Sequence, residues 1–368
     1  MDAFCILFAD TFRNHDIGGF VKNRSMASLH VGCRYRMVDF MLSSLVKSRV
    51  PNIGIIATKN YNSLMDHVGW GKDWDLNRKN SGLKIIPPLA IANTGIPKNK
   101  FEALVNAESY IDSMLQDYCI ISDSNVICEI DFREVLDFHK KNNADITVIC
   151  KKGKPGPGDI EMMLDHKNRA YSALYHQYGA EYECNTLLKI TIMHKDLLKS
   201  IIQKGNTLGW EDIVRDYISK NFNKLNVYAY NVKGYCKVIE DLDSYFDFNM
   251  DLLNEEISHE IFLSGTEILT RVKDSVPTVY GKNACVKNSL LADGSHINGE
   301  VENSIIFRDV TIEEGASVKN SILMSGTVIK AGAKLDYVIA DKLVTVNKNK
   351  ELKGDESCQF TIPKGKII

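Results

Sequence analysis

The chain has 368 residues, a charged fraction of 25%, a hydrophobic fraction of 44% and a net charge of −2. This composition is ordinary for a globular protein of two domains, and the near-neutral charge argues against nucleic acid or an anionic membrane as partner. The nine cysteines are dispersed and form no Cys-x-x-Cys pair. We therefore expect reduced thiols in a cytoplasmic protein and no metal site. No stretch approaches the roughly 20 apolar residues of a membrane span.

Apolar runs and helical spacings alternate along the first two-thirds of the chain. Continuous apolar runs predict buried strands at residues 3–9, 52–58, 83–86, 117–122, 144–150, 185–193 and 225–232. Helical spacing predicts helices at residues 35–48, 61–69, 101–115, 132–142, 195–202, 211–219 and 241–256. Residues 151–158 have the composition of a loop. The alternation predicts a parallel α/β sheet covered by helices on both faces.

A repeat begins after about residue 279. Val286-Lys-Asn-Ser-Leu-Leu recurs from Val301, from Val318 and, in degraded form, from Leu335, at spacings of 15, 17 and 17 residues. Short apolar strands about every six residues, with Gly and Asn at the corners, are typical of a hexapeptide parallel β-helix. Its coils must stack on one another because none buries its faces alone. The alternative is an irregular β-sandwich.

Residues 22–46 begin as a loop and end as an amphipathic helix. Arg24, His30, Arg34 and Arg36 place several potential cations just before the helix. A helix N-terminus with cations around it suits an anion such as a phosphate group. On these residues alone, the alternative is a helix start with a solvated basic flank.

Two longer motifs identify a family resemblance. Residues 32–43, GCRYRMVDFMLS, and residues 61–78, YNSLMDHVGWGKDWDLNR, resemble two consecutive motifs of the ADP-glucose pyrophosphorylases, also called glucose-1-phosphate adenylyltransferases. The resemblance implies a Rossmann-like nucleotidyltransferase domain with a mixed, mostly parallel sheet, followed by a left-handed parallel β-helix. With the repeat, it predicts domains at residues 1–256 and 279–368 and a linker at 257–278. It also implies the family's reaction, in which ATP and glucose 1-phosphate form ADP-glucose and pyrophosphate with Mg²⁺.

The positions that hold the triphosphate and the sugar in this family are altered here. Residues 8–14 replace the glycine-rich loop that follows the first strand, and side chains there would block close approach of the backbone to phosphate. The nucleotide turn falls on residues 99–104, and the sugar-phosphate motif has no recognisable counterpart between residues 159 and 180. Met26 stands where the family has a lysine, so a cation is lost as well.

The metal-binding positions are altered too. Asp123 matches one of the family's two metal-binding aspartates, and Val238 stands at the other. A single carboxylate holds Mg²⁺ poorly, because this ion needs carboxylates in addition to substrate phosphates. We therefore predict no intact catalytic site and no cofactor bound by this chain alone. Asp123 and Asp212 are candidate remnants of the site, and the alternative for each is an ordinary surface or capping carboxylate.

These combined losses resemble the GlgD-type subunits of the family, which partner a GlgC-type catalytic subunit in glycogen synthesis. The resemblance implies a regulatory subunit in a heterotetramer, with Mg²⁺ serving the assembled enzyme. Two alternatives remain open. One is an active sugar-nucleotide nucleotidyltransferase with a rearranged phosphate loop, against which Met26 and Val238 argue. The other is a sugar-phosphate sensor without an enzymatic partner.

The resemblance also implies an allosteric pocket between the two domains, where a sugar bisphosphate or phosphate effector binds. The matching positions are Arg24, His30 and Arg36, and Lys342 follows the Ile-Ala-Asp of the β-helix. Asn23 stands where the family has a lysine, which leaves the choice of effector open. Charge-assisted hydrogen bonds to phosphate oxygens would hold the anion. The alternative is a set of separate solvated cations.

Overall fold

The structure, a computed structural model, describes residues 1–12, 17–58, 60–79, 81–88, 97–263 and 267–368. Two compact units interleave along the chain. Unit 1 consists of Met1–Arg13, Ser25–Ala27 and Phe40–Val238, and unit 2 consists of Asn14–Arg24, Ser28–Asp39 and Ile239–Ile368. The predicted domains follow chain order, whereas in the structure residues 28–39 belong to the same unit as the β-helix. Residues 13 and 14 of the replaced phosphate loop lie outside the described residues.

The strands before the β-helix are β1 (Ala3–Phe8), β2 (His30–Val31), β3 (Tyr35–Arg36), β4 (Asn52–Ile56), β5 (Gly82–Ile86), β6 (Tyr118–Asp123), β7 (Val126–Cys128), β8 (Ile146–Gly153), β9 (Asp159–Leu164), β10 (Ala170–His176), β11 (Cys184–His194), β12 (Val227–Asn231) and β13 (Cys236–Val238). Unit 1 contains a nine-stranded sheet with the order β10-β9-β11-β6-β1-β4-β5, and β8 pairs with β11 and β12. Neighbours β6, β1, β4 and β5 are parallel, whereas β11 runs antiparallel to β6, β8 and β9. The predicted mixed, mostly parallel sheet is confirmed.

The helices are α1 (Met37–Lys47), α2 (Asn62–Val68), α3 (Lys100–Asn106), α4 (Glu108–Ser113), α5 (Phe132–Lys141), α6 (Lys195–Leu208), α7 (Leu242–Asp251) and α8 (Glu255–Phe262). Within the described ranges, none of them combines the length and the apolarity that crossing a bilayer requires. The predicted helix at 101–115 is two helices, because Ala107 leaves helical geometry between α3 and α4. The predicted helix at 211–219 is a π-helical turn at Val214–Ile218.

The region between residues 150 and 180 differs most from the sequence prediction. Residues 151–153 were predicted to be loop, but they continue β8 because their backbone pairs with residues 184–186 of β11. The hairpin of β9 and β10, which the sequence analysis did not predict, follows with antiparallel pairing. Its strands are half-exposed and carry charged and aromatic side chains, so they lack the continuous apolar run that marks the buried strands.

The β-helix of unit 2 consists of β14 (Val279–Tyr280), β15 (Cys285–Lys287), β16 (Leu290–Leu291), β17 (His296–Ile297), β18 (Glu300–Glu302), β19 (Ile305–Ile306), β20 (Thr311–Ile312), β21 (Ser317–Lys319), β22 (Ile322–Leu323), β23 (Val328–Ile329), β24 (Lys334–Asp336), β25 (Val338–Ala340), β26 (Thr345–Val346), β27 (Glu351–Lys353) and β28 (Phe360–Ile362). They form three parallel sheets of five strands each. The register stacks Val286, Val301, Val318 and Leu335, the starts of the sequence repeat. The predicted left-handed parallel β-helix is confirmed.

Asparagines hold one corner of the coils. Asn288, Asn303 and Asn320 have φ angles of 41°, 46° and 46°, a left-handed conformation that asparagine tolerates better than most residues. Their side chains form a ladder: Asn288 donates to Asn303 at 2.8 Å, and Asn320 donates to Asp336 at 2.9 Å. The ladder explains why the repeat retains Asn after each first strand.

Candidate functional site

The carboxyl edge of the unit 1 sheet is where an α/β fold of this type places its ligands. β1 and β6 are parallel neighbours, and their register pairs Phe8 with Asp123 at that edge. Asp10 follows β1 directly. Its carboxylate accepts the backbone N–H of Met26 at 2.9 Å and the hydroxyl of Thr58. A negatively charged side chain thus stands in the loop where the family resemblance implies a triphosphate.

Asp123 carries the second charge at this edge, and a lysine neutralises it. The ammonium of Lys100 lies 2.6 Å from each carboxylate oxygen of Asp123. The Asp123 side chain is 2% exposed and that of Lys100 is 19% exposed, so the pair is largely shielded from water. The ammonium also lies 5.3 Å from the ring centre of Phe8. Lys100 is the first residue of α3, inside the segment that matches the nucleotide turn of the family.

These residues do not fit a Mg²⁺ site. A magnesium ion would have to displace the Lys100 ammonium from both oxygens of Asp123. The position that matches the second metal-binding aspartate, Val238, lies on β13 opposite Val126, and its side chain offers no oxygen atom. The Met26 side chain is 3% exposed and belongs to the apolar core. Met26 and Val238 were predicted from the sequence but Lys100 was not, although it lies within residues 99–104, which match the nucleotide turn.

Asp212, the other candidate remnant, has a local structural role. Its carboxylate accepts the backbone N–H of Arg215 at 3.0 Å at the start of the π-helical turn. The neighbouring Asp216 accepts the N–H groups of Glu211 and Asp212, which supports the same turn. Hydrogen bonds of this kind are those of capping carboxylates.

The cationic loop of residues 22–36 belongs to unit 2 except for Ser25–Ala27, and α7 holds its second half in place. β2 and β3 form a short hairpin in which His30 lies opposite Arg36. Tyr245 donates its hydroxyl to the His30 carbonyl at 2.8 Å, and Asn249 accepts the N–H of Gly32 at 3.0 Å. These bonds come from consecutive turns of one helix face, so α7 anchors the backbone of the hairpin at His30 and Gly32.

Arg24 forms an ion pair inside unit 2. One guanidinium nitrogen lies 2.7 Å from both oxygens of Asp341, and the two side chains are 6% and 5% exposed. The backbone N–H of Lys342 donates to the same carboxylate at 2.7 Å. Asp341 was not predicted as a partner of Arg24, although this aspartate belongs to the Ile-Ala-Asp that precedes Lys342.

Lys342 stands among several positive charges. Burial, together with the charges of Arg36, Arg24 and Lys273, lowers the pKa of Lys342 to about 7, whereas Asp341 acts in the opposite direction. Three cationic side chains therefore act on Lys342, with Asp341 as the opposing charge. We call Arg24, Arg36, Lys273 and Lys342 the Lys342 cluster.

The Lys342 cluster contains three of the four predicted anion-binding residues. The fourth, His30, is 8% exposed, lies opposite Arg36 and packs its ring edge-to-face on Phe307 with centroids 6.1 Å apart. The sequence analysis did not include Lys273, because its neighbours resemble no motif. An anion held by such a cluster gains charge-assisted hydrogen bonds and relieves the repulsion among the cations. Anion binding at these residues stays a prediction.

Comparisons with known proteins found matches in both units of the chain. Residues 22–157 match the nucleotidyl transferase family, and residues 275–360 match the family described as GlmU-like, C-terminal hexapeptide. The glycogen biosynthesis protein GlgD of Bacillus subtilis is 32% identical over 358 residues, which cover 97% of this chain and 95% of that protein. GlgD of Geobacillus stearothermophilus is 36% identical over 81% of this chain and 78% of its own length. The glucose-1-phosphate adenylyltransferase of Acetivibrio thermocellus is 27% identical over 90% of this chain and 79% of its own.

Proposed function

Since this chain belongs to the GlgD family of glycogen biosynthesis proteins, we propose that it is a catalytically impaired regulatory subunit of glucose-1-phosphate adenylyltransferase. Its role lies in glycogen biosynthesis and is related to that of the ADP-glucose pyrophosphorylases. In the proposal, it assembles with a GlgC-type catalytic subunit as a heterotetramer. It then changes the activity or the effector response of that subunit.

The observation that carries the proposed impairment is the Lys100–Asp123 pair. An ammonium 2.6 Å from both oxygens supplies the charge that Mg²⁺ would otherwise bring to this carboxylate. An ammonium on the protein cannot bridge substrate phosphates in the way a metal ion does, since it has no open coordination positions. The negative charge of Asp10 beside Met26 adds repulsion where a triphosphate would approach.

The proposed regulatory role is supported by the Lys342 cluster. Arg36 lies on β3 and Lys342 follows β25 of the β-helix, and burial together with the neighbouring cations lowers the pKa of Lys342 to about 7. A phosphate group would favour the protonated form of Lys342, since an opposite charge nearby stabilises a charged group. We propose that a phosphate or sugar phosphate effector binds here and that the assembled enzyme responds to it.

The experiment measures ADP-glucose synthesis by the purified chain, by a GlgC-type subunit from the same organism, and by the two together. We expect background turnover from this chain alone. Loss of one charged transition-state contact costs roughly 10²–10³ in rate, and two such contacts are altered here. We expect one larger species for the mixture in gel filtration, together with changed kinetics or effector response.

A variant pair tests the regulatory part. Arg36→Ala in the assembled enzyme should weaken the response to phosphate or sugar phosphate, whereas Lys282→Ala, an exposed lysine elsewhere on the β-helix, should not. A turnover of several per second by the isolated chain would reject the impairment and favour an active nucleotidyltransferase. Separate elution with unchanged kinetics of the catalytic subunit would reject the regulatory role.

A further inference from the structure

Three strands of the unit 1 sheet bring together three side chains with metal-binding atoms. β9 carries Glu161, β10 carries His176 and β11 carries Cys184, and one ligand atom from each lies within 4.8 Å of the others. In the register, Glu161 is opposite Leu174 on one side and Thr186 on the other. His176 and Cys184 are each two residues from those partners. All three side chains therefore lie on the same face of the sheet.

The burial of these residues favours a defined site over a mobile surface group. His176 is 7% exposed and Cys184 is 8% exposed. The imidazole Nε2 of His176 lies 2.9 Å from Oε2 of Glu161, and the hydroxyl of Tyr182 donates to the same oxygen at 2.9 Å. The rings of Tyr182 and His176 pack edge-to-face with centroids 5.9 Å apart. The hydroxyl of Thr186 lies 3.6 Å from the Cys184 sulfur.

We propose that Glu161, His176 and Cys184 bind one Zn²⁺ ion. Carboxylate, imidazole and thiolate are the three ligand types that zinc takes in proteins, whereas Mg²⁺ and Ca²⁺ take oxygen ligands. Bond lengths of roughly 2.0–2.3 Å place the ligand atoms of a tetrahedral zinc site about 3.3–3.6 Å apart. The observed separations within 4.8 Å require only small side-chain rotations to reach that geometry.

The neighbouring residues serve the ion in defined ways. The Cys184 thiol loses its proton to solvent when it binds the metal, and the proton on Nε2 of His176 moves to the other ring nitrogen or to solvent. Tyr182 keeps its hydrogen bond to Glu161 and so orients the carboxylate from outside the coordination sphere. Three protein ligands leave a fourth position for water.

Cysteine spacing could not reveal this site. The ligands are 15 and 8 residues apart along the chain, each on a different strand, so no short motif contains two of them. Only the pairing of the β9–β10 hairpin with the amino-terminal half of β11 brings them together. The site lies in the antiparallel part of the sheet, where β9 and β10 are only half-buried. A bound ion would cross-link β9, β10 and β11.

The experiment uses the full-length protein after treatment with a chelator. Zinc chloride is titrated by calorimetry, and Co²⁺ is titrated by absorption because its bond to a thiolate gives a near-ultraviolet charge-transfer band. We expect one equivalent of zinc, the thiolate band with Co²⁺, and a higher melting temperature with zinc. Cys184→Ser and His176→Gln should each weaken zinc binding at least about a hundredfold. Tyr182→Phe should weaken it about tenfold, the effect typical of losing an outer partner.

Cys285→Ser is the matched control, because this thiol is exposed on the β-helix of unit 2. It should bind zinc as the unaltered protein does. Circular dichroism verifies folding, and X-ray absorption of the zinc-loaded unaltered protein should show one sulfur and at least one imidazole ligand even if a variant fails to fold. Substoichiometric zinc binding, a Co²⁺ spectrum without the thiolate band, or equal affinity in Cys184→Ser would overturn the proposal.

Discussion

The two candidate sites differ in how the charges of their side chains are compensated. In unit 1, the ammonium of Lys100 neutralises the carboxylate of Asp123. This carboxylate therefore needs no cation from outside the protein to balance its charge. In unit 2, Asp341 neutralises Arg24, but Arg36, Lys273 and Lys342 add positive charge around it. The carboxylate of the first site has a cation as its partner, whereas in the second site three cationic side chains act on Lys342 against one carboxylate. This difference supports the two proposals made above, an impaired metal position in unit 1 and an anion site in unit 2.

Arg24→Ala should have the largest effect on stability, because it breaks the internal balance of unit 2. Asp341 is 5% exposed and would be left as a buried carboxylate without its guanidinium. Breaking such a pair costs about 3–5 kcal/mol in the free energy of unfolding. Urea denaturation measures the loss. The control is Arg133→Ala, whose exposed pair with Asp131 should contribute little.

The double variant Arg24→Met with Asp341→Leu tests whether the loss of stability in Arg24→Ala comes from the unpaired carboxylate. Replacing both charges by apolar groups should recover most of the lost stability, because the cost lies in the unpaired carboxylate. Equal stabilities of Arg24→Ala and Arg133→Ala would show that the pair is not buried as the structure has it.

Lys100→Ala tests whether Lys100 neutralises the charge of Asp123 in unit 1. Asp123 would lose a partner on both oxygens, and we expect destabilisation of about 2–3 kcal/mol because Lys100 is partly exposed. Mg²⁺ should restore little of the lost stability, because Asp123 is then a single carboxylate without a second metal ligand at Val238. Lys199→Ala, which removes an exposed pair with Asp112, is the matched control. A loss of stability no larger in Lys100→Ala than in Lys199→Ala would contradict the assignment of Lys100.

The parts of the fold that were predictable are those with a strong local pattern. The run at residues 3–9 became β1 because every residue of Ala3–Phe8 is buried between parallel neighbours. The repeat starting at Val286 became the β-helix because the same apolar position faces the core of each coil. The β9–β10 hairpin was not predicted, because its half-exposed strands show no apolar run.

The residues of the two candidate sites were predictable only at positions that match the motifs of the family. Arg24 and Lys342 came from the family resemblance, but the partner of Arg24 lies 317 residues away in the sequence. No periodicity connects such positions, since their proximity follows from the interleaving of the chain in unit 2. Lys100 was missed for a related reason. Its spacing to Asp123 is unremarkable, and only the meeting of α3 with the end of β6 joins the two charges.

The titration of Lys342 gives a pH test of the excess charge in unit 2. With a pKa of about 7 in the folded protein, against an ordinary value of 10.5, Lys342 is largely neutral at pH 8 without an anion. A bound phosphate raises this pKa, so binding above pH 7 takes up a proton and the affinity should fall by up to about tenfold per pH unit. Calorimetry between pH 6 and 9 measures this, with the ionisation of phosphate itself subtracted using Lys342→Ala.

The same shift has a definite sign for stability. Between pH 7 and 10.5 the unfolded chain binds the Lys342 proton and the folded chain does not. The contribution of this group to stability therefore rises with pH across that window, and it is most unfavourable below pH 7. Lys342→Ala should remove this rise. The charged groups around it are Arg24, Arg36, Lys273 and Asp341. A pH profile of stability that is unchanged in Lys342→Ala would contradict the lowered pKa.

Lys273→Ala should have the smallest effect of these variants, and the effect is on phosphate affinity. Lys273 is exposed, and its charge acts on Lys342 after the contributions of burial, Arg36 and Arg24. An exposed cation attracts an anion through water and is screened by salt, so we expect phosphate affinity to fall only about two- to threefold at low ionic strength. The difference should vanish near 0.5 M salt, where the screening length is roughly 4 Å. Lys282→Ala should show no change at either salt concentration. A loss as large as that of Arg36→Ala, persisting at high salt, would mean that Lys273 contacts the anion directly and that the cluster is more closed than the structure shows.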